Sequence, residues 1–130
     1  MSIKILLDPG HFGKVNPYYV LRPAIDYSEA EMTWKLHQYL KAELESYGFE
    51  VGVTRTDPNK DLDVVLRGKM AKGYNLFLSL HSNACGTPSV NRAVMCCYQD
   101  LTGTDIDDKS KAIGTILGET IQKTMELTGY

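Results

Sequence analysis

The chain has 130 residues, 43% of them hydrophobic and 23% charged, and its formal net charge at pH 7 is -2. This length suits a single domain with its own core, and the near-neutral charge excludes the basic surface that binds nucleic acid or anionic lipid. No apolar run reaches the ~20 residues of a membrane helix, and the first strand begins too early for a signal peptide, which predicts synthesis in the cytoplasm.

The first predicted element is a short strand that leads into His11. Its apolar residues follow one another almost without interruption, as in a strand that is covered on both faces: Ile3, Ile5, Leu6 and Leu7. Pro9 and Gly10 end the strand, because proline has no amide hydrogen and glycine allows a tight reversal. Since ligands collect at the carboxyl ends of strands in open α/β sheets, His11 is a candidate metal ligand. A loop histidine without a function is the competing interpretation.

Residues 12–27 are predicted to form a long irregular loop that is rich in tyrosine and proline. Loops of this length are uncommon in a compact domain unless they bind something. Tyr18 and Tyr19 are therefore candidates for the wall of a cleft beside His11, although packing of the loop onto the body of the protein explains them equally well.

A helix is predicted from Ser28 to about Tyr47, with Gly48 as its stop. The side chains at helical spacing that should face the sheet are Met32, Leu36, Tyr39, Leu40, Leu44 and Tyr47. His37 lies beside this apolar stripe and is predicted to be a surface or boundary residue.

The first turn of this helix holds two glutamates with different roles. Glu31 is the third residue after Ser28 and completes a capping box with it. Glu29 lies about two turns before Leu36, so its side chain should point in the direction of the apolar stripe. An inward carboxylate is costly unless it is paired or metal-bound, which makes Glu29 the second candidate ligand.

Strands and helices alternate along the chain. Residues 49–55 predict a second strand, residues 75–83 a third and residues 92–98 a fourth. A short helix is predicted with Arg67 and Lys69 off its apolar stripe, which consists of Leu62, Val65, Leu66 and Met70. The alternation predicts right-handed βαβ units and a mostly parallel sheet flanked by helices.

The C-terminal part of the sequence holds a last helix, which is predicted to begin at Asp107 or Ser110. Its apolar stripe is Ile113, Ile116, Leu117, Ile121 and Met125. Gly114 and Gly118 indicate close contact between this helix and the sheet. The cysteines are odd in number and have no C-x-x-C spacing, which predicts reduced thiols at Cys85, Cys96 and Cys97.

His81 follows the third predicted strand as His11 follows the first. If these two strands are neighbours, both imidazoles lie at one edge of the sheet. Two histidines and one carboxylate form the ligand set of catalytic zinc sites that keep a position for water. His11, Glu29 and His81 therefore indicate metal-assisted hydrolysis of an amide bond.

Four motifs resemble those of the zinc-dependent N-acetylmuramoyl-L-alanine amidases. They are LDPGH at residues 7–11, the helix-opening Glu29, VTR at residues 53–55 and SLHSNA at residues 79–84. The resemblance extends over residues 3–84, with the motifs in order and at compatible spacing. It implies that His11, Glu29 and His81 bind Zn²⁺.

The resemblance also implies a fold and a substrate. The expected fold is a three-layer α/β/α domain of the phosphorylase/hydrolase-like type, with a mixed, mostly parallel sheet, over residues 1–130. The expected substrate is peptidoglycan, cut between N-acetylmuramic acid and L-alanine by an autolysin or by an endolysin that reaches the cell wall through phage-like release or another route of export. Asn83 joins Tyr18 and Tyr19 as a candidate substrate-binding residue.

Two departures from the family pattern matter. The family usually has glycine after the first histidine, where this chain has Phe12. The family's catalytic glutamate lies on a later apolar strand, which is expected beyond Tyr130, so no catalytic residue is assigned. The sheet is accordingly expected to be incomplete, and its unfilled position is a candidate for self-association.

Two other functions share these features. One is a catalytically impaired module that binds muropeptide without cutting it. The other is a zinc peptidase of the carboxypeptidase-like type, which has the same ligand set. Release of amino acids from plain peptides, with muramyl–peptide amides left intact, would favour the peptidase.

Overall fold

A computed structural model describes residues 2–13, 28–82, 89–97 and 107–127. The chain divides into two compact units, Met1–Ser82 and Asn83–Tyr130. The elements in chain order are β1 (Lys4–Pro9), α1 (Glu29–Ser46), β2 (Glu50–Val53), α2 (Val64–Met70), β3 (Leu76–Leu80) and α3 (Asp108–Thr124). We predicted that residues 1–130 form one catalytic domain. The division into two units does not decide this point, which stays a prediction.

The first unit is built on a three-stranded sheet with β1 in the centre and the order β2-β1-β3. Both pairs of strands are parallel, with Leu7 opposite Val53 and Pro9 opposite Leu80. The α/β class is therefore confirmed, and the three strands of the described residues are consistent with an incomplete sheet. The strands that the structure describes are all parallel, so this part of the chain does not show the mixed character that was expected.

The two faces of β1 have different neighbours, because successive side chains of a strand point to opposite faces. Ile5 and Leu7 form the core of one face, against which these residues pack: Leu40, Leu44, Phe49, Val53, Leu76 and Leu78. Asp8 has the opposite parity and contacts Arg67 of α2. Helix α1 therefore packs on one face of the sheet, and α2 contacts the opposite face.

Helix α1 has the predicted bounds. The Ser28 hydroxyl caps it by accepting a hydrogen bond from the Glu31 amide at 3.4 Å. After Tyr47 the chain leaves the helix through Gly48, whose φ of 85° is a left-handed conformation that glycine adopts without strain.

The buried face of α1 differs from the predicted one. The buried residues of this helix are Glu29, Ala30, Thr33 and His37, whereas Leu36 is 42% exposed and Tyr39 is 77% exposed. The prediction of His37 at the surface is wrong: the residue is 4% exposed, and its ring packs edge-on against Trp34 with 4.4 Å between centroids. Leu40 and Leu44 of the predicted stripe do pack on the sheet. Glu29 and Thr33 share the buried face because their side chains have hydrogen-bond partners inside the protein.

Helix α2 also turns a polar side chain inward. Its N-cap is Asp63, whose carboxylate accepts hydrogen bonds from the amides of Val65 and Leu66. The predicted apolar stripe is mostly solvent-exposed, while Arg67, which was placed off that stripe, is buried. The reason is the ion pair between Arg67 and the buried carboxylate of Asp8.

In the second unit, α3 is capped by Asp107, which accepts a hydrogen bond from the Ser110 amide at 2.7 Å. Gly114 and Gly118 are buried, but a Cβ built on Gly114 would lie 2.8 Å from Cys97 Sγ. The close contact is therefore with a non-strand segment rather than with a sheet. Three members of the predicted stripe, Ile113, Ile116 and Met125, are exposed.

The prediction of a fourth strand is wrong over residues 93–97, which form no strand, and Arg92 forms only an isolated β-bridge. A strand needs a neighbour that completes its ladder of hydrogen bonds, and an apolar sequence alone does not supply one. Tyr98 lies outside the described residues. No helix of the described ranges is both long and apolar enough to cross a membrane.

Candidate metal centre

Three elements deliver the three predicted ligands to one edge of the sheet. His11 lies two residues beyond the end of β1, His81 directly follows β3, and Glu29 is the first residue of α1. Because β1 and β3 are neighbouring parallel strands, their carboxyl ends meet at the same edge. The condition for convergence of the two imidazoles is thereby met.

Glu29 lies between the two histidines. Its Oε2 is 3.1 Å from His11 Nε2, and its Oε1 is 3.1 Å from His81 Nδ1. The Ser82 amide donates a further hydrogen bond to Oε1 at 2.8 Å. The two imidazole rings meet edge to face, with centroids 5.0 Å apart and an interplanar angle of 82°.

The side chains of the centre differ in their exposure to solvent. The Glu29 side chain is 7% exposed, whereas that of His81 is 51% exposed. A buried carboxylate is stable only with partners, and Glu29 has the two imidazoles and one amide as partners. A molecule in solution can therefore reach the cluster from the His81 side.

The donor set fits a divalent transition metal. One ligand atom from each of His11, Glu29 and His81 can be chosen so that all lie within 4.8 Å of one another. Bonds of ~2.0–2.2 Å allow two ligands of one zinc ion to lie at most ~4.4 Å apart, so small side-chain rotations would unite the set. Imidazole nitrogen and carboxylate oxygen together suit zinc and its neighbours in the first row.

Asp8 forms a buried polar network beneath this centre. Its Oδ1 accepts hydrogen bonds from Thr54 Oγ1 at 2.6 Å and from Arg67 Nη1 at 2.8 Å, and its Oδ2 accepts one from Ser79 Oγ at 2.7 Å. These partners come from the segment after β2, from α2 and from β3. The network therefore joins the other two strands and a helix to the end of β1.

The backbone beyond β1 is held by two buried arginines. Arg67 donates to the carbonyl oxygens of Pro9 at 2.9 Å and of His11 at 3.3 Å. Arg55 donates to Pro9 O at 3.0 Å through Nη2 and lies over the Trp34 ring, 5.3 Å from its centroid. The pKa of Arg55 is lowered, mainly by burial and secondly by the positive charge of Arg67, while the negative charge of Asp8 acts in the opposite direction.

Gly10 is a point of close approach between β1 and β3. Its amide donates to Leu80 O at 2.9 Å, and a Cβ at this position would lie 2.4 Å from His81 Cε1. Real Cβ contacts are never that short, so only glycine leaves room for the His81 ring.

Several supporting residues escaped the sequence analysis: Asp8, Thr33, Arg55 and Arg67. Two signals were available: Asp8 is an acidic residue inside an apolar strand, which needs buried partners, and Arg55 ends the VTR motif at residues 53–55. The predicted substrate-binding residues Tyr18, Tyr19 and Asn83 lie outside the described residues. Cys96 and Cys97 are free thiols, as predicted, while Cys85 also lies outside the described part.

The comparisons with known proteins give one match. The model of the family described as N-acetylmuramoyl-L-alanine amidase matches residues 5–129. No match was found among curated proteins or among solved structures. The matched range includes His11, Glu29 and His81, and it extends beyond the motifs on which the resemblance was based.

Proposed function

We propose that this chain, which belongs to the N-acetylmuramoyl-L-alanine amidase family, uses Zn²⁺ to hydrolyse the amide bond between N-acetylmuramic acid and L-alanine in peptidoglycan. Family membership supports amide hydrolysis in peptidoglycan in general. The observation that carries the zinc dependence is the convergence of two imidazoles and one buried carboxylate within 4.8 Å. Action on the cell wall as an autolysin or an endolysin belongs to the same proposal.

The proposed roles follow from the positions of the side chains. His11 and His81 would each offer an imidazole nitrogen, and Glu29 a carboxylate oxygen. Zinc held by these groups supplies Lewis-acid polarisation of the amide carbonyl and activation of water. The hydrogen bond from the Ser82 amide fixes the orientation of the Glu29 carboxylate, and the exposure of His81 leaves one side open to a muropeptide.

The test measures metal content and amide hydrolysis together. Protein purified without chelators is expected to carry about one zinc ion per chain, because three side chains form one site. Incubation with peptidoglycan is expected to release peptides with a new L-alanine amino terminus at a low rate, because no general acid or base is assigned among these residues. His81→Ala should lose both the zinc and the release, since it removes one of three ligands.

His37→Leu is the matched control, because it removes the only histidine outside the cluster. This variant should keep its zinc. Absence of zinc from the wild-type protein, or unchanged zinc in His81→Ala, would contradict the proposal. A zinc-loaded protein that retains muropeptide but releases no new amino terminus would indicate a binding module instead.

A further inference from the structure

The backbone that carries His11 is fixed by side chains from elsewhere in the first unit. Arg67 donates hydrogen bonds to two carbonyl oxygens of this segment, Pro9 O at 2.9 Å and His11 O at 3.3 Å. Arg55 adds a second donor to Pro9 O at 3.0 Å. The planar guanidinium of an arginine holds such a pair of acceptors in one fixed geometry.

The carbonyl oxygen of Gly10, between these two, accepts a hydrogen bond from Thr33, which is fully buried. Its hydroxyl lies 2.8 Å from Gly10 O and 3.2 Å from Ala30 O, the carbonyl of its own helix. Thr33 is one turn after Glu29 on the buried face of α1. A single hydroxyl therefore joins the helix that carries Glu29 to the residue before His11.

This fixation matters because His11 has an unusual backbone conformation. Its φ is 58°, in the left-handed region that residues other than glycine rarely adopt. Such a conformation persists only where the surroundings over-determine it. Here each of the carbonyl oxygens of Pro9, Gly10 and His11 accepts a hydrogen bond from a buried side chain. We call these three carbonyls, together with the donors Thr33 and Arg67, the carbonyl clamp.

We propose that Thr33 and Arg67 are positioning residues of the metal centre, which hold His11 and Glu29 at ligand spacing through the carbonyl clamp. The inference rests on the proposed zinc function. Neither residue touches the ion; each acts through the backbone that orients a ligand. Loss of such supporting contacts in metal sites weakens metal binding by about 10–100-fold.

A purely structural role for Thr33 predicts a different result. Without the hydroxyl, Gly10 O would lose a buried hydrogen bond, and the apo protein would lose stability whatever its function. Stability alone therefore cannot identify a positioning residue. The affinity of the folded apo protein for zinc can, because it changes only if the ligands lose their arrangement.

The experiment compares Thr33→Val with Thr33→Ser. Valine keeps the shape of threonine without its hydroxyl, whereas serine keeps the hydroxyl without the methyl group. Zinc affinity is measured by competition with a chromogenic chelator, and apo stability by urea unfolding followed through Trp34 fluorescence. Thr33→Val should bind zinc about 10–100-fold more weakly than wild type, and Thr33→Ser should restore most of the affinity.

Arg67→Lys tests the second positioning residue. Lysine keeps the positive charge beside Asp8 but lacks the planar fork that spans Pro9 O and His11 O. Its zinc affinity should fall in the same direction as that of Thr33→Val. The cobalt(II) absorption spectrum of each variant reports separately on the arrangement of the ligands.

His37→Leu is the matched control, because His37 lies on the buried face of α1 one turn after Thr33 and packs against Trp34 rather than against the clamp. It should leave zinc affinity unchanged, whatever its effect on apo stability. If wild type binds zinc and Thr33→Val binds it equally well, the clamp proposal is overturned while the zinc function stands. If wild type binds no zinc, both fall.

Discussion

At the scale of single residues, Glu29 is the buried member of the candidate metal centre. Its carboxylate is buried, and both of its oxygens face an imidazole nitrogen at 3.1 Å. An isolated carboxylate in that position would be strongly destabilising. The two histidines and the Ser82 amide offset this cost, so the same contacts that could hold a metal ion also keep the free protein folded.

Gly10 gives a prediction at the same scale. Gly10→Ala would place a Cβ 2.4 Å from the His81 ring, and the ring would have to move. The His81 side chain is half exposed, so its ring can turn aside at little cost to stability, but it then leaves its position beside Glu29. Because the displaced ring is a candidate ligand, we expect zinc affinity to fall about tenfold or more, as measured by chelator competition.

Gly68→Ala is the control for this change, since a Cβ there meets no atom within 4 Å. Gly68 lies inside α2, where alanine is preferred to glycine by up to about 1 kcal/mol. This variant should keep its zinc affinity and be no less stable than wild type. Equal zinc affinity of both alanine variants would contradict the steric role of Gly10.

The candidate ligands could be predicted from the sequence, but part of the reasoning was wrong. Glu29 was expected to point inward because it lies two turns before Leu36, yet Leu36 is largely exposed. Glu29 is buried because it shares a face with Thr33 and His37, four and eight residues later. Leu40 and Leu44 continue the same face and pack on the sheet, so apolar spacing marks its second half, whereas its first half is polar and escapes hydrophobic periodicity.

At the scale of elements, the ion pair between Asp8 and Arg67 connects β1 to α2. Both side chains are buried, and Nη1 and Oδ1 are 2.8 Å apart. Ser79 of β3 and Thr54 after β2 donate to the same carboxylate. The network therefore links all three strands at the end of the sheet where the candidate ligands lie.

Arg67→Met is expected to lower the free energy of unfolding by about 3–5 kcal/mol, because it leaves the Asp8 carboxylate buried without its charged partner. Adding Asp8→Asn should recover part of this loss, since the double variant buries no unpaired charge. Urea unfolding followed by Trp34 fluorescence measures both effects. A double variant as unstable as the sum of its single variants would show that the two residues act independently.

Lys4→Met is the control for the variants of the buried ion pair between Asp8 and Arg67. Lys4 pairs with Glu50 at 2.9 Å, but both side chains are exposed to solvent. Surface pairs of this kind contribute little to stability. The variant should unfold at nearly the same urea concentration as wild type.

The strands of the first unit were easier to predict from sequence than the strand expected in the second unit, whereas α3 forms where it was predicted. Strands β1 and β3 are short apolar runs that end at a histidine, and both form where predicted. Residues 93–97 have a comparable apolar composition but form no strand. The difference is the neighbour: a strand depends on a partner distant in sequence, which local composition does not identify.

At the scale of the whole molecule, the residues of the candidate centre and its supports all belong to the first unit, Met1–Ser82. The family match continues through the second unit to residue 129. The second unit therefore shares the family's sequence pattern without contributing a described ligand. Trp34, the only tryptophan of the chain, lies in the first unit and reports on its unfolding.

His37 gives this unit a predictable response to pH. Burial, above all, lowers the pKa of His37 below its ordinary value, helped by the charges of Arg55 and Lys41 and opposed by backbone groups of Trp34 and Thr33. In the unfolded chain the imidazole takes up a proton near its ordinary pKa of about 6.5, while the folded protein resists it. Stability is therefore complete above that pH and declines as the pH falls toward the lowered pKa.

The prediction is a difference between wild type and His37→Leu. Between about pH 7.5 and about pH 5.5, wild type should lose more of its free energy of unfolding than the variant, because only wild type gains a proton at this position on unfolding. Every other side chain is the same in both proteins, so its contribution cancels in the comparison. Urea unfolding at several pH values measures the two slopes, and parallel slopes would mean that His37 is protonated as readily in the folded protein as in the unfolded chain.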